Sequence, residues 1–270
     1  MDDLQTILER TRLASTKWLE ENSNNRPMNQ SNSATIFCKK CNDEAGYLVK
    51  DDNDNDIWRM CDCVEQRRAR RLMRTSELTD ELRKLGFKNF LKDGRPACVM
   101  RAYETASNYY RQFDHVRYDR QNSIALLGVP GTGKTHLLVA ACNNLLTKGI
   151  SVLYFPHVEG FNNLKDNLDE LETKIGYMKN VDVLYWDDLF KGRKTPTDFQ
   201  LEQFFGVINY RYLNNKPIMV SSEKTVDQLM DIDQAIASRI YEMCKHFLVI
   251  MELTPEEKAA GMKLNYRLEG

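Results

Sequence analysis

Residues 128–135, GVPGTGKT, have the glycine and lysine spacing of a loop that binds phosphate groups. Glycines let such a loop turn tightly and bring its backbone N–H groups close to phosphate oxygens. Lys134 is predicted to bind the β- and γ-phosphates of a nucleotide, and Thr135 to place its hydroxyl on Mg²⁺. The residues that we expect to contact the nucleotide here are Gly128, Pro130, Gly131, Thr132, Gly133, Lys134, Thr135 and His136.

The segments on either side of this loop have the composition that a phosphate loop requires. An apolar run at 124–127 precedes it and predicts a buried strand, while the pattern from Leu137 onward predicts a helix. The positive end of that helix dipole would face the same anion. The alternative is a glycine-rich turn without a ligand, and the strand-loop-helix context disfavours it.

A second apolar run ends in two acids, within the segment VDVLYWDDLF at 181–190. In phosphate-loop ATPases a strand of the same sheet delivers such carboxylates beside the metal. Asp187 is the candidate that coordinates Mg²⁺ through water, and Asp188 is the candidate that orients or polarises the attacking water. Asp is shorter than Glu at this position, and slow intrinsic hydrolysis is predicted. The alternative is that the two acids only cap the end of a strand.

The segment at 217–243 holds a third group of candidates. A strand is predicted to end just before Ser221, Ser222 and Glu223, where a polar side chain, Ser222 first, could sense the γ-phosphate. Arg239, on a predicted helix, could reach the nucleotide of a neighbouring subunit and stabilise transition-state charge. For this arginine the alternative is a surface salt bridge.

Four cysteines form two close pairs, Cys38 with Cys41 and Cys61 with Cys63. Zn²⁺ takes four soft ligands in a tetrahedron, and two short knuckles can supply four thiolates across a β-hairpin. The residues between the pairs predict such a hairpin, with a polar turn at its tip. Structural zinc is therefore predicted, and the alternative is four unrelated buried thiols.

Composition limits the classes of protein that this chain could be. Its 270 residues, 42% of them apolar, allow one full-sized core and a smaller appendage. A net charge of −1 excludes a global basic field that would attract nucleic acid. The first residues are acidic where a signal peptide is basic, and no apolar stretch approaches the roughly 18 residues of a membrane span. We expect a cytoplasmic protein without membrane contact, in which Cys98, Cys142 and Cys244 are core thiols.

The elements that must position these groups follow from hydrophobic periodicity. A short amphipathic helix is predicted at 2–21, a linker at 21–33 and a strongly basic helix at 64–74. From about residue 76 strands and helices alternate, which predicts an α/β fold with a parallel sheet. Strands are expected at 46–50, 57–60, 123–128, 151–156, 181–186, 217–222 and 246–251, and a helix at 98–113.

Taken together, these motifs resemble the DnaC/DnaI-type loaders of bacterial replicative helicases. The resemblance is carried by the cysteine module with its basic helix and SEL, then by GFKNF, GVPGTGKTHL, LYWDDLF, FFGVINYRYLNNKP and SSE…IASRIYEM. It runs from about residue 36 to near the end of the chain. The chain is especially like the shorter loader-like replication proteins of Gram-positive bacteria and their phages.

This resemblance implies an AAA+ ATPase domain with a parallel sheet and a nucleotide at the subunit boundary. The implied organisation is an N-terminal helix and linker at 1–34, a zinc-binding module and basic helix at 35–75 that grips the helicase, and the AAA+ domain at 76–270. The resemblance also implies that Arg239 is the arginine finger, so an isolated copy should hydrolyse ATP poorly. The chain has Ser-Ser-Glu at 221–223 where the family often has an Asn sensor, and Arg267 is the candidate second sensor.

The expected cofactors are ATP, Mg²⁺ and Zn²⁺, and the expected partners are a hexameric replicative helicase, a neighbouring copy of this chain and single-stranded DNA. Cations that follow the DNA backbone and aromatic rings for base stacking occur in two clusters. The clusters are Arg67, Arg68, Arg70, Arg71 and Arg74, and Tyr210, Arg211, Tyr212 and Lys216. The alternatives are a solvated helix face or a contact with an acidic partner for the first cluster, and, for Tyr210 and Tyr212 of the second, packing of the helix against the sheet.

Two other functions remain open at this point. A transposition helper ATPase shares the AAA+ core but acts on duplex DNA with a transposase, and the four-cysteine module argues against it. The second is a zinc adaptor that binds ATP without turnover.

Overall fold

The computed structural model describes residues 38–52, 54–192 and 196–265. The predicted helix at 2–21, the linker at 21–33 and Arg267 lie outside the described residues. The chain divides into two compact units, of which the first ends at Cys61 and the second begins at Asp62.

The described part of the first unit contains a two-stranded antiparallel hairpin. Strand β1 (Gly46–Lys50) pairs with strand β2 (Asp56–Met60). At the turn, the Asn55 backbone N–H donates to Asp51 Oδ1 at 2.8 Å. Both predicted strands are confirmed, and the second begins one residue earlier than the pattern indicated.

The second unit is built on a five-stranded parallel sheet. Its strands are β3 (Ile124–Gly128), β4 (Val152–Pro156), β5 (Val183–Asp187), β6 (Ile218–Ser222) and β7 (Phe247–Met251). They lie in the order β4-β5-β6-β3-β7. Every strand predicted for this domain is confirmed. Because the strands are parallel, the carboxyl ends of β3, β5 and β6 meet at one edge, where ligands of open α/β sheets bind.

Helices connect the strands. They are α1 (Cys63–Thr75), α2 (Asp80–Arg83), α3 (Ala97–Val116), α4 (Lys134–Thr147), α5 (His157–Asp166), α6 (Leu171–Asn180), α7 (Asp198–Leu213), α8 (Val226–Ile232), α9 (Gln234–Cys244) and α10 (Pro255–Ala259). Two short 3₁₀ helices lie at Phe87–Asn89 and Leu168–Glu170. The predicted basic helix and the helix at 98–113 are both confirmed, as α1 and α3.

The central strands are buried on both faces, which is why they read as continuous apolar runs. Along β3, Ile124 and Leu126 join one buried cluster, which also contains residues of α3 and α4. Ala125 and Leu127 join the other cluster, which contains residues of α7 and α9. The sheet therefore lies between two cores, and the carboxyl ends of its strands carry the site.

Arg211, on α7, is fully buried and serves the fold. Its guanidinium donates to five backbone carbonyls, those of Met178, Lys179, Val181, Asp182 and Pro217, at 2.6 to 3.2 Å. Burial lowers the pKa of this side chain to about 9. The hypothesis that it contacts DNA is wrong for Arg211, because the side chain has no access to solvent. This side chain is instead buried inside the domain.

Replacing Arg211 with methionine is expected to lower the free energy of unfolding by about 3–5 kcal/mol, because several buried carbonyls lose their donor. Urea denaturation of both proteins measures the difference. Lys216→Ala removes a neighbouring cation whose Nζ donates to one carbonyl, that of Asn180, and should cost no more than about 1 kcal/mol. Equal, small losses in the two variants would contradict the structural role of Arg211.

Candidate functional site

The loop between β3 and α4 has a backbone that suits glycine at three positions. Gly128, Gly131 and Gly133 have φ values of +127°, +78° and +92°, which other residues rarely adopt. A Cβ on Gly128 would lie 2.5 Å from the Met251 carbonyl oxygen. Helix α4 begins directly after Gly133, and its first N–H groups have no helical acceptor. The loop thus has the conformation of an anion cradle.

Lys134 is the first residue of α4, and only 4% of it is exposed. Its Nζ donates to the carbonyl oxygens of Gly128 and Val129 at 2.7 and 2.8 Å. Burial lowers the pKa of Lys134 to about 8, although the charges of Asp188 and Glu223 oppose this shift. A buried ammonium held by neutral carbonyls is stabilised by an arriving anion, so this position fits a phosphate group.

Thr135 and Asp187, the two residues predicted to bind magnesium, contact each other. Thr135 Oγ1 donates to Asp187 Oδ1 at 3.1 Å. Asp187 is the last residue of β5 and is 4% exposed. A hydroxyl and a carboxylate supply the hard oxygen ligands that Mg²⁺ prefers. The donor set therefore fits this ion.

Three further hydroxyls converge on Asp187, and of these only Ser221 was among the sequence candidates, as a possible γ-phosphate sensor. Tyr154 OH donates to Asp187 Oδ2 at 2.9 Å, and the hydroxyls of Tyr185 and Ser221 donate to Oδ1. Burial raises the pKa of both tyrosines, with the charge of Asp187 adding to the effect. Both phenols therefore stay protonated and act as donors that hold the carboxylate in place. Only the Tyr185–Asp187 pair carried a local signal, because residues two apart on a strand share a face.

Asp188 follows in a left-handed backbone conformation, with φ of +52°. Its N–H donates to Ser221 Oγ at 2.8 Å, and the Ser221 hydroxyl in turn donates to Asp187. One serine of β6 therefore orients both acids of the neighbouring strand. Lys191 Nζ lies 2.7 Å from Asp188 Oδ2 and 3.2 Å from Glu223 Oε1.

A cavity of about 410 Å³ is lined by the loop and by some of the charged groups beside it. Residues 130–136 form one wall, and Asp188, Lys191 and Glu223 form the polar end. Apolar side chains from residues before α3, among them Leu82 and Phe90, form the opposite side. A cavity of this size with an apolar side and a charged end suits a nucleotide, with its base on the apolar side and its phosphates at the loop.

His136, the last residue of the predicted phosphate-loop contacts, connects the loop to the segment GFKNF. Its Nε2 lies 3.0 Å from the Gly86 carbonyl oxygen and 3.1 Å from Asn89 Oδ1. The ring packs edge-on against Phe90. His136 thus lines the cavity and also holds the apolar wall against α4.

The four paired cysteines come together. The Sγ atoms of Cys38, Cys41, Cys61 and Cys63 all lie within 4.8 Å of one another, and those of Cys38 and Cys61 are 3.7 Å apart. Ligands about 2.3 Å from a tetrahedral zinc ion would be separated by about 3.8 Å. Hydrogen bonds from the backbone at Cys41 lower the pKa of Cys38 to about 7, which favours the thiolate. The cluster therefore fits Zn²⁺.

Known proteins are similar to this chain over the part that contains the nucleotide cavity. A family model described as IstB-like ATP binding protein covers residues 48–258. The chain belongs to the IstB-like ATP-binding family. The phage-like element PBSX protein XkdC of Bacillus subtilis strain 168 is 47% identical over 245 residues, which are 89% of this chain and 90% of that protein.

Solved structures agree with the family assignment. The structure of the DnaC helicase loader matches with a TM-score of 0.55 and 25% identity, over 64% of this chain and 100% of that chain. The structure of DnaI matches with a TM-score of 0.55 and 23% identity, over 65% of this chain and 95% of that chain, which shows the shared fold. The expected AAA+ phosphate-loop fold and the resemblance to DnaC/DnaI-type proteins are confirmed.

Four predicted residues of this family member do not line the cavity: Gly128, Asp187, Ser222 and Arg239. Ser222 is buried, and its hydroxyl donates to the Leu189 carbonyl at 2.8 Å. Arg239, on α9, donates from Nε to Asn209 Oδ1 at 3.1 Å, and its guanidinium packs over the rings of Phe205 and Tyr212. The polar end of the cavity is instead formed by Asp188, Lys191 and Glu223.

The basic helix α1 has two kinds of arginine. Arg67 donates from Nη2 to Cys63 Sγ at 3.0 Å, and thereby supports one of the clustered sulfur atoms. Arg68, Arg71 and Arg74 are exposed.

In the second cluster, the Tyr212 hydroxyl donates to Glu242 Oε2 at 2.8 Å. In the described parts of the chain, none of the helices has the length and apolar character of a membrane span.

Proposed function

We propose that this chain is an ATPase that loads a replicative DNA helicase onto single-stranded DNA, with its grip on the helicase controlled by ATP. The observation that carries the proposal is the match to the DnaC helicase loader along the whole length of that structure, at 25% identity. The proposed organisation is 1–34 as N-terminal helix and linker, 35–75 as zinc module and basic helix that contact the helicase, and 76–270 as the AAA+ domain.

In the proposed reaction the loop at 128–135 binds the triphosphate. Its N–H groups and the Lys134 ammonium compensate the phosphate charge. Thr135, through its hydroxyl, and Asp187, through water, would hold Mg²⁺, and the ion would supply positive charge that offsets the charge of the phosphates. Asp188 accepts a hydrogen bond from a water molecule and orients it towards the γ-phosphorus. The pairing of Thr135 with Asp187 at 3.1 Å supports this assignment.

Arg239 is proposed to act on the nucleotide of a neighbouring copy, as an arginine finger. Its position outside the cavity of its own chain supports a role in trans. Self-association through the ATP site is then needed for rapid hydrolysis, and an isolated copy is slow. Of the two candidates for sensing the γ-phosphate, Glu223 lines the cavity and Ser222 does not.

The module at 35–75 is proposed to hold one structural Zn²⁺ through Cys38, Cys41, Cys61 and Cys63. The exposed arginines of α1 are the proposed contacts to single-stranded DNA, since their positive charges are accessible to the DNA backbone. A loader of this kind works in the cytoplasm, where the replicative helicase acts.

The test is co-purification of the full chain with the replicative helicase of its host, followed by ring loading onto closed circular single-stranded DNA. ATP is expected to change the amount of helicase retained, and the loaded rings are expected to survive a salt wash. Absence of helicase from the purified protein, with and without ATP, would contradict the proposal.

Arg239→Ala tests the finger in the same assay. The variant is expected to retain the helicase while its helicase- and DNA-stimulated ATP hydrolysis falls about 1,000-fold, because transition-state charge loses its partner. Arg120→Ala, which removes the cation from over the ring of the same Tyr212 at 4.1 Å, is the matched control and should keep most of the activity. Equal turnover in Arg239→Ala and the unmodified protein would refute the finger.

A transposition helper ATPase is the second candidate, and membership of the IstB-like family favours keeping it. Such a protein would co-purify with a transposase and would be stimulated by duplex DNA, with no response to the helicase. A zinc adaptor that binds ATP without turnover would show no hydrolysis with either partner.

A further inference from the structure

Lys191 occupies the polar end of the nucleotide cavity, three residues after Asp188. Its ammonium is shared by two carboxylates, 2.7 Å from Asp188 Oδ2 and 3.2 Å from Glu223 Oε1. The cavity wall also includes Lys134. The charge of Lys191 is among the causes that lower the pKa of Lys134, after burial, so the two ammonium groups act on the same region.

The neighbouring strand β6 offers no donor of its own at this place. The Ser222 hydroxyl is directed to the Leu189 carbonyl at 2.8 Å, and the next residue, Glu223, is an acid, which can respond to a phosphate only through a cation that lies between them. Lys191, from the loop that follows β5, places a cation beside these groups at the cavity end. Lys191 can therefore supply the hydrogen bond to the γ-phosphate that no hydroxyl at the end of β6 supplies.

The ion pairs of Lys191 are of a kind that a ligand can replace. The side chain is 41% exposed, and its partners are 30% and 33% exposed, so water screens both pairs. A terminal phosphate with its greater charge and three acceptor oxygens competes well for such an ammonium. Gly192, with φ of +95°, follows directly and permits a backbone conformation that other residues rarely adopt.

We propose that Lys191 is the residue that distinguishes ATP from ADP in this cavity. With no γ-phosphate present, its ammonium pairs with Asp188 and Glu223 and occupies Asp188 Oδ2. The γ-phosphate takes the ammonium as its own partner, and Asp188 becomes free to accept a hydrogen bond from the attacking water. Lys191 thus binds the γ-phosphate when ATP is present and inhibits Asp188 when it is absent. This inference rests on the proposed ATPase function.

Equilibrium binding of fluorescent ADP and of a fluorescent, non-hydrolysable ATP analogue to the full chain tests this assignment. Lys191→Ala is expected to weaken binding of the ATP analogue about 10-fold and to leave ADP binding unchanged, because only the ATP analogue presents the γ-phosphate. Lys191→Arg keeps the cation and should preserve most of the preference. Glu223→Gln removes a competing acid and should strengthen binding of the ATP analogue.

Lys224→Ala is the matched control, since it removes one positive charge beside Glu223 from a residue outside the cavity wall. It should leave both affinities unchanged. The inference would be overturned if the ratio of ATP-analogue affinity to ADP affinity were the same in Lys191→Ala and in the unmodified protein. It would also be overturned if Lys224→Ala changed that ratio as much as Lys191→Ala does. A protein that binds neither nucleotide would instead refute the proposed ATPase, which keeps the two failures distinct.

Discussion

Replacing Lys134 with alanine is expected to weaken ATP binding by about 100-fold or more. The ammonium is buried in the phosphate loop, where a charge-assisted hydrogen bond to a phosphate is worth about 3 kcal/mol. Isothermal titration calorimetry with ATP and Mg²⁺ measures the change. Lys148→Ala is the matched control, because Lys148 directly follows the same helix and pairs with Asp114 on the surface.

The thermal midpoint of the Lys134→Ala protein separates loss of binding from loss of folding. Burial lowers the pKa of Lys134 from 10.5 to about 8, so the unfolded chain binds the proton more tightly than the folded one. The charged lysine therefore costs stability below pH 8, and this cost disappears as the pH rises from about 8 to 10.5. At pH 7 the variant should melt at the same temperature or higher without nucleotide. A lower midpoint together with retained ATP binding would contradict this account of the loop.

Removing zinc is expected to unfold the hairpin of the first unit. The strands of 46–50 and 56–60 have few buried side chains, and β2 is exposed along its whole length, so an apolar core does not hold them. Structural zinc in small cysteine sites contributes about 10–16 kcal/mol of apparent binding free energy. Metal analysis should find one Zn²⁺ per chain, and a chelator should raise hydrogen exchange at 46–60 to the rate of an unfolded peptide.

Cys41→Ser should reproduce the effect of the chelator and lower the zinc content, because one of the four thiolates is lost. Cys98→Ala removes a cysteine that is buried in the second unit, outside the cluster, and should leave zinc at one ion per chain. Zinc well below one per chain in folded, unmodified protein would exclude the metal site. Unchanged hydrogen exchange after complete zinc removal would show that the hairpin folds without it.

The sequence predicted the fold wherever the information lies in neighbouring residues. Gly128, Gly131 and Gly133 occur at the spacing that a tight anion-binding turn requires, and the apolar runs of the five strands have the length and composition of buried strands. The same holds for the cysteine pairs, since each pair is close in the chain. A hairpin between them was enough to predict the cluster.

Adjacent residues on a strand show where such prediction ends. Ser221 and Ser222 are identical in type, and the pattern favoured Ser222 as the polar group of the site. In the structure Ser221 contacts both acids, while Ser222 is directed to the Leu189 carbonyl. Consecutive side chains of a strand point to opposite faces, so a single step in register decides which hydroxyl reaches Asp187.

The sequence alone determined the phosphate loop, the order of strands along the chain and the paired thiols, because each depends on backbone conformations and spacings that are local. Only the tertiary structure decided that Arg211 is buried, that Tyr154 holds Asp187 and that Lys191 pairs with Asp188 and Glu223. Burial and cross-strand contacts depend on the spatial order β4-β5-β6-β3-β7, which joins residues that are far apart in the chain. An arginine or a tyrosine has the same letter in a buried network as on a surface, and its surroundings give it its role.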